Sequence, residues 1–163
     1  MTTWESICWR VARRYAAATG QAMPPETAVE FAAGFFKRHS ALHKFAPTKV
    51  VDKAGGGGTH PEARQAGSEI HLYPKFWQLD AKTRDFVFAH ELGHHALSVY
   101  GLGKLIGDLG KLGVDPWDSS SLPFGQHNMD EAFADSFATY FLNRSELKHR
   151  YPKWDVAVHA VAG

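Results

Sequence analysis

The sequence predicts an α+β fold: N-terminal helices, a small twisted mixed β-sheet with an edge strand, a buried helix carrying an HExxH motif, and a following helix that carries further carboxylates. Three observations lead there. Apolar residues recur at helical spacing through the opening stretch, with Arg10, Arg13 and Arg14 on the opposite side. Short alternating stretches bounded by glycine and proline follow, as half-buried strands require. Two strongly apolar helical stretches then appear, DFVFAHELGHHAL over 85–97 and NMDEAFADSFATYFLN over 128–143, each with ionisable groups set among aromatic residues. At 163 residues the chain reads as a single domain, 1–163, with an N-terminal helical part over 1–46 and a catalytic core over 47–163.

Trp4, Ile7, Cys8, Val11, Tyr15 and Ala18 form the apolar side of a first helix, which Gly20 ends. Pro24, Pro25 and Glu26 open a second, whose Val29, Phe31, Ala32, Phe35 and Phe36 read as core, and it ends near His39. His39 and His43 are four residues apart but lie at that helix end without an acidic partner, which argues against a second metal site. Thr48 to Asp52 reads as a short strand. The run Gly55 to Gly58 is a loop or a hairpin tip, and it lacks the GxxxxGK[ST] pattern of a phosphate cradle. Glu69 to Tyr73 alternates and stops at Pro74, which suits an edge strand. Such an edge would let Ile70, His71 and Leu72 bind an extended peptide through their backbone, although His71 also reads simply as an exposed strand residue.

Asp80 is a good N-cap and Gly101 a plausible stop for the helix between them, whose apolar residues leave almost no polar face. On that helix His90 and His94 are one turn apart on one face, able to grip one ion. Burying two imidazoles and Glu91 in such a segment is costly unless they are paired or bound to metal. Glu91 follows the first imidazole and projects beside the metal, where a base acting on a metal-bound water belongs. His95 lies further round, as a supporting or solvent-facing residue. The Gly-, Ser- and Pro-rich stretch after Tyr100 reads as a loop with one helical turn, mobile over the site. Its GLGKLIG places Ile106 where GxGxxG needs the third glycine, so a dinucleotide site is rejected.

Asn128 followed by Glu131 resembles a capping box, a structural rival to any role for Glu131 in binding. Glu131 and Asp135, however, share a face at i,i+4 among aromatic residues and need partners. The reading favours Glu131 as third metal ligand, with Asp130 as fallback, and Asp135 as acceptor for the free ring N–H of a ligand histidine. Ser145 to Val158 reads as a terminal helix or turn packed by Tyr151 and Trp154.

Net charge is +1 with 10 histidines, which gives no electrostatic case for nucleic acid or membrane. The single Cys8 excludes an internal disulfide and a cysteine-based zinc site. No basic, apolar leader opens the chain and no long apolar run could span a bilayer, so a cytoplasmic site of synthesis is expected, with virion association or signal-free secretion as routes elsewhere. A GxSxG nucleophile elbow is lacking.

These residues resemble a zincin of the glutamate-ligand type, a gluzincin. More narrowly, HELGH followed by EAFADSFATYFL and LKHRYP is similar to the lethal-factor-like and Pro-Pro endopeptidase group, and related zincin domains occur in phage head-associated and polymorphic-toxin proteins. ImmA/IrrE-type metallopeptidases are the second resemblance. It implies a zincin-like fold and one zinc per chain on His90, His94 and Glu131. Glu91 would be the catalytic base, Asp135 would support a ligand imidazole, and a peptide or protein would be the substrate. In the lethal-factor-like group a Tyr-Gly pair before the glutamate helix helps stabilise the oxyanion; here that pair is Phe124-Gly125, and His127 is the nearest alternative donor. The expected function is therefore a zinc metallopeptidase whose zinc-bound water is activated by Glu91. The alternative, motivated by Phe124, is a weak or inactive zincin-fold module serving as a virion, regulatory or partner-binding protein.

Overall fold

The computed structural model describes residues 27–55 and 62–163. The helix expected over Trp4–Ala18, the opening at Pro24 to Glu26 and most of the glycine run lie outside the described residues. The chain is a mixed α+β protein with a small mixed sheet. Packing groups it into two compact units, Met1–Phe88 and Ala89–Gly163.

In the first unit, helix α1 (Ala28–Arg38) begins at Thr27, whose Oγ1 accepts the Glu30 N–H at 3.2 Å. Thr27 is extended and supplies the cap. The aromatic residues of α1 form core as expected. Phe31 meets Phe76 edge-on at 5.0 Å and Phe35 meets Phe88 at 4.7 Å, both in T-shaped geometry. A 3-10 turn over Ser40–Phe45 follows and buries Leu42. The sheet comprises β1 (Lys49–Asp52), β2 (Ala63–Ala66) and β3 (Glu69–Leu72) in the order β1-β3-β2. β1 runs parallel to β3 and β2 antiparallel to it, so Ile70 faces Val50 on one side and Gln65 on the other.

The edge-strand expectation for Ile70, His71 and Leu72 is thereby corrected. β3 is the central strand, so its backbone already bonds to both neighbours, and the Ile70 and Leu72 side chains are fully buried. Pro74 misled because a proline commonly marks an edge. Here it opens the 3-10 turn Pro74–Gln78, beyond the ladder, where its missing N–H costs nothing. His71 is half-buried on the other face, 3.1 Å from Glu69, which also pairs with Lys49.

Helix α2 (Ala81–Tyr100) carries the motif. Asp80 caps it, accepting the Thr83 N–H at 2.8 Å, and Gly101, at φ 103°, ends it. In its first half Asp85 takes Arg38 at 2.7 Å and His39 at 3.1 Å, so His39 does have an acidic partner, contrary to expectation. His43 packs edge-on against Phe36. Burial is complete around Leu92 but not throughout α2, for Val99 in its last turn is exposed.

In the second unit, α3 (Leu102–Lys111) replaces the expected mobile loop. Leu105 and Leu109 are fully buried at i,i+4, while Gly103, Gly107 and Gly110 fall on the exposed side. Each glycine costs about 1 kcal/mol in a helix, and burying each leucine returns roughly 1.5–3 kcal/mol, so packing outweighs propensity. Tyr100 donates its hydroxyl to Asp108 of this helix. Short 3-10 turns at Ser119–Ser121 and Pro123–Gly125 lead to α4 (Met129–Leu142), then α5 (Arg144–Arg150) and α6 (Pro152–Ala162) pack against it. The terminal segment is thus two helices, separated at Tyr151 by Pro152 at the first position of α6. Among the described residues, no helix is long and apolar enough to cross a membrane.

Candidate metal centre

α2 and α4 approach closely at Gly93. A Cβ there would stand 3.0 Å from the Ala134 Cα and 3.1 Å from the Phe137 Cβ, too near for any side chain without a shift. This contact sets the imidazoles of α2 against the first turn of α4.

His90 and His94 lie with ring centroids 4.8 Å apart and planes at 81°, and their Nε2 atoms are separated by 3.1 Å. Glu131 straddles them, Oε2 at 2.9 Å from His90 Nε2 and Oε1 at 3.1 Å from His94 Nε2. Donors about 2.05 Å from a tetrahedral zinc are separated by roughly 3.3 Å, close to the 2.9–3.1 Å between neighbouring atoms of this cluster. Among the described residues this is the one group of three or more histidine, cysteine or acidic side chains that could hold a metal ion.

The rest of the cluster fixes these side chains. His90 Nδ1 lies 2.7 Å from Asp135 Oδ1, and Asp135 Oδ2 accepts the Gln126 side-chain N–H at 2.7 Å. With the Nδ1 proton held on Asp135, Nε2 is the ring's donor atom toward an ion. Asn128 caps α4, accepting the Glu131 N–H at 2.9 Å, so the capping reading holds for the backbone. The Glu131 carboxylate turns to the imidazoles instead of returning to the cap.

Charge makes the same point. Burial works against a charged His90, yet the hydrogen bonds to Asp135 and Glu131 outweigh it and hold its pKa at about 10. The bonds from His90 and His94 hold Glu131 well below the usual carboxylate range despite its burial. Glu91, beside His90, is 4% exposed and adds a further negative group whose charge favours protonated His90. Two imidazoles thus sit among Glu91, Glu131 and Asp135, a donor set with surplus negative charge that suits a divalent cation.

Other expected residues lie apart from this set. Asp130 and His127 are exposed, and His127 has no hydrogen bond or ion pair among the described residues. His95 is half-buried, with Nδ1 shielded and unpartnered. Phe124 adopts φ 59°, its N–H donates to the Tyr151 hydroxyl at 3.1 Å, and the two rings pack at 4.9 Å. Sequence reasoning missed Gln126, Gly93 and this use of Tyr151. Gly93 carried a signal, a lone gap in a bulky helix; Gln126 carried none. Comparison of the chain with protein-family models, curated proteins and solved structures finds no match in any of the three.

Proposed function

We propose that this chain is a zinc-dependent metallopeptidase with a zincin-like fold, acting on a peptide or protein. The observation that carries the reading is the convergence of His90 Nε2, His94 Nε2 and the Glu131 carboxylate, whose two oxygens lie 2.9 Å and 3.1 Å from the respective rings, with buried Glu91 next to the first ligand. Zinc and not magnesium or calcium suits two imidazoles and one carboxylate. When bound there, zinc supplies Lewis acidity and brings a coordinated water's pKa towards about 7. The chain's own residues do the rest. Glu91 takes the proton of the attacking water as it adds to the peptide carbonyl, then passes it to the leaving amine. Asp135, braced by Gln126, keeps the His90 ring oriented and its Nδ1 proton in place.

Glu91→Gln separates this from the inactive-module alternative, which the lack of a hydroxyl on Phe124 favours. Both proteins should retain about one zinc per chain by elemental analysis, a ratio set by the one ligand group among the described residues. Peptide-library cleavage should fall by at least 100-fold in the variant, the scale of a lost general base. A zinc-loaded wild type that cleaves nothing would reject the peptidase reading.

A further inference from the structure

Among the described residues, Phe124 is the one residue other than glycine with a positive φ, 59° with ψ 26°. Gly125 follows at φ 67°, and the Gln126 N–H closes the turn on the Pro123 carbonyl at 3.3 Å. Two successive left-handed residues between Pro123 and Gln126 make a type I′ turn, whose central positions favour glycine, asparagine and aspartate. Gly125 meets that demand. Phe124 does not, because in this conformation a Cβ crowds the following carbonyl oxygen. Such a residue persists only where its surroundings hold it in place.

What holds Phe124 is the junction of α5 and α6. The Phe124 N–H donates to Tyr151 Oη at 3.1 Å, and the two rings pack at 4.9 Å. Arg150 donates to the same oxygen at 3.2 Å and lies 5.4 Å from the Phe124 ring centroid, itself fixed by Glu146 at 2.9 Å. Both helices pin the Tyr151 backbone: its N–H donates to Leu147 at 2.8 Å and its carbonyl accepts the Asp155 N–H at 3.0 Å. At the other end of the turn, Gln126 donates to Asp135 Oδ2 at 2.7 Å, and Asp135 Oδ1 lies 2.7 Å from His90 Nδ1. Every step from Tyr151 to His90 is thus a hydrogen bond or the four-residue turn itself. A Phe124 relaxed to an ordinary negative φ would re-aim the chain and carry Gln126 away from Asp135.

We infer that Tyr151 is a positioning residue for the metal centre: its hydroxyl keeps Phe124 left-handed, the turn sets Gln126 on Asp135, and Asp135 keeps His90 Nε2 facing His94 and Glu131. Tyr151 acts through the turn, not by contact with reacting atoms. The effect on zinc and cleavage rests on the peptidase reading; the effect on the His90 ring does not.

Tyr151→Phe keeps the ring contact and removes only the hydroxyl. In the metal-free full chain with isotope-labelled histidine, the low-field NMR signal of the His90 Nδ1–H bonded to Asp135 should weaken or shift upfield in Tyr151→Phe and in Gln126→Leu, with the far-UV spectrum as folding control. Zinc affinity, read by chelator competition, should fall roughly three- to tenfold in Tyr151→Phe, the scale of one lost hydrogen bond. Adding Tyr151→Phe to Gln126→Leu should cost nothing further, because both act on one path. Phe124→Gly, which takes φ 59° without strain, should restore the signal and the affinity in the Tyr151→Phe background, and this double variant decides the matter where Tyr151→Phe alone unfolds. An unchanged signal and affinity in Tyr151→Phe, additive losses with Gln126→Leu, or a folded double variant that stays impaired would overturn the positioning role and leave the peptidase reading standing. A His90 signal that responds as expected in a protein that cleaves no peptide would keep the positioning role and sink the peptidase.

Discussion

At the scale of single residues, partners matter more than identity. Asp135 lies outside the His90–His94–Glu131 group, but one oxygen holds His90 Nδ1 and the other holds Gln126. Asp135→Asn should weaken zinc affinity about 10–100-fold, the usual cost of losing a carboxylate behind a ligand imidazole. Gln126→Leu should cost less, because Asp135 would remain on the ring; competition with a chromophoric chelator measures both. A different carboxylate carries a pH effect. Asp52 is buried at the end of β1, its Oδ2 accepting the Ala28 N–H at 3.0 Å, and burial pushes its pKa from 3.8 up to about 6 against the lowering effect of hydrogen bonds from Ala28 and Trp77. The folded value lies above the unfolded one, so the stabilising contribution is complete below about pH 4 and is lost as pH rises through about 6. About two units correspond to roughly 3 kcal/mol. Urea unfolding between pH 4 and 7 should show that loss, and Asp52→Asn, which keeps an acceptor for Ala28, should flatten it.

At the scale of elements, the sequence was readable where period and caps agreed. Asp80 and Asn128 cap α2 and α4 as their side chains suggested, and His90, His94 and Glu131 stand on the faces their spacing implied. It misled where one local rule met a stronger non-local one. Pro74 suggested an edge, yet β3 is central because strand order is set by pairing with distant residues. Three glycines disguised α3 as a loop, although Leu105 and Leu109 drive it into the core. The glycines themselves provide a contrast. Gly107→Ala meets nothing within 4 Å and should stabilise by roughly 0.5–1 kcal/mol through helix propensity. Gly93→Ala would press on α4 backbone at 3.0 Å and should destabilise by about 1–3 kcal/mol. It should also lower zinc affinity by displacing the helix that carries Glu131. Thermal unfolding of both variants decides the first point, chelator competition the second; equal behaviour of the two would show that the close approach has no structural role.

For the whole molecule, the proposed metal centre makes ion binding and folding one equilibrium. Glu131 lies more than 35 residues along the chain from His94, so an unfolded chain has no preformed site and affinity for the ion adds to the stability of the folded state. At free zinc 100 times the dissociation constant the gain is about 2.7 kcal/mol, or a rise of roughly 5–10 °C in the unfolding midpoint of a chain this size. A chelator should reverse it. Because His90 is protonated in the metal-free protein, loading near pH 7 should also release a proton, seen as a dependence of the calorimetric heat on buffer ionisation. Glu131→Ala should abolish the thermal shift, whereas Glu91→Gln should keep it, since Glu91 is no ligand in this arrangement. A midpoint indifferent to zinc in the wild-type chain would mean that His90, His94 and Glu131 hold one another through hydrogen bonds alone, and the cluster would then be a structural polar network instead of a metal centre.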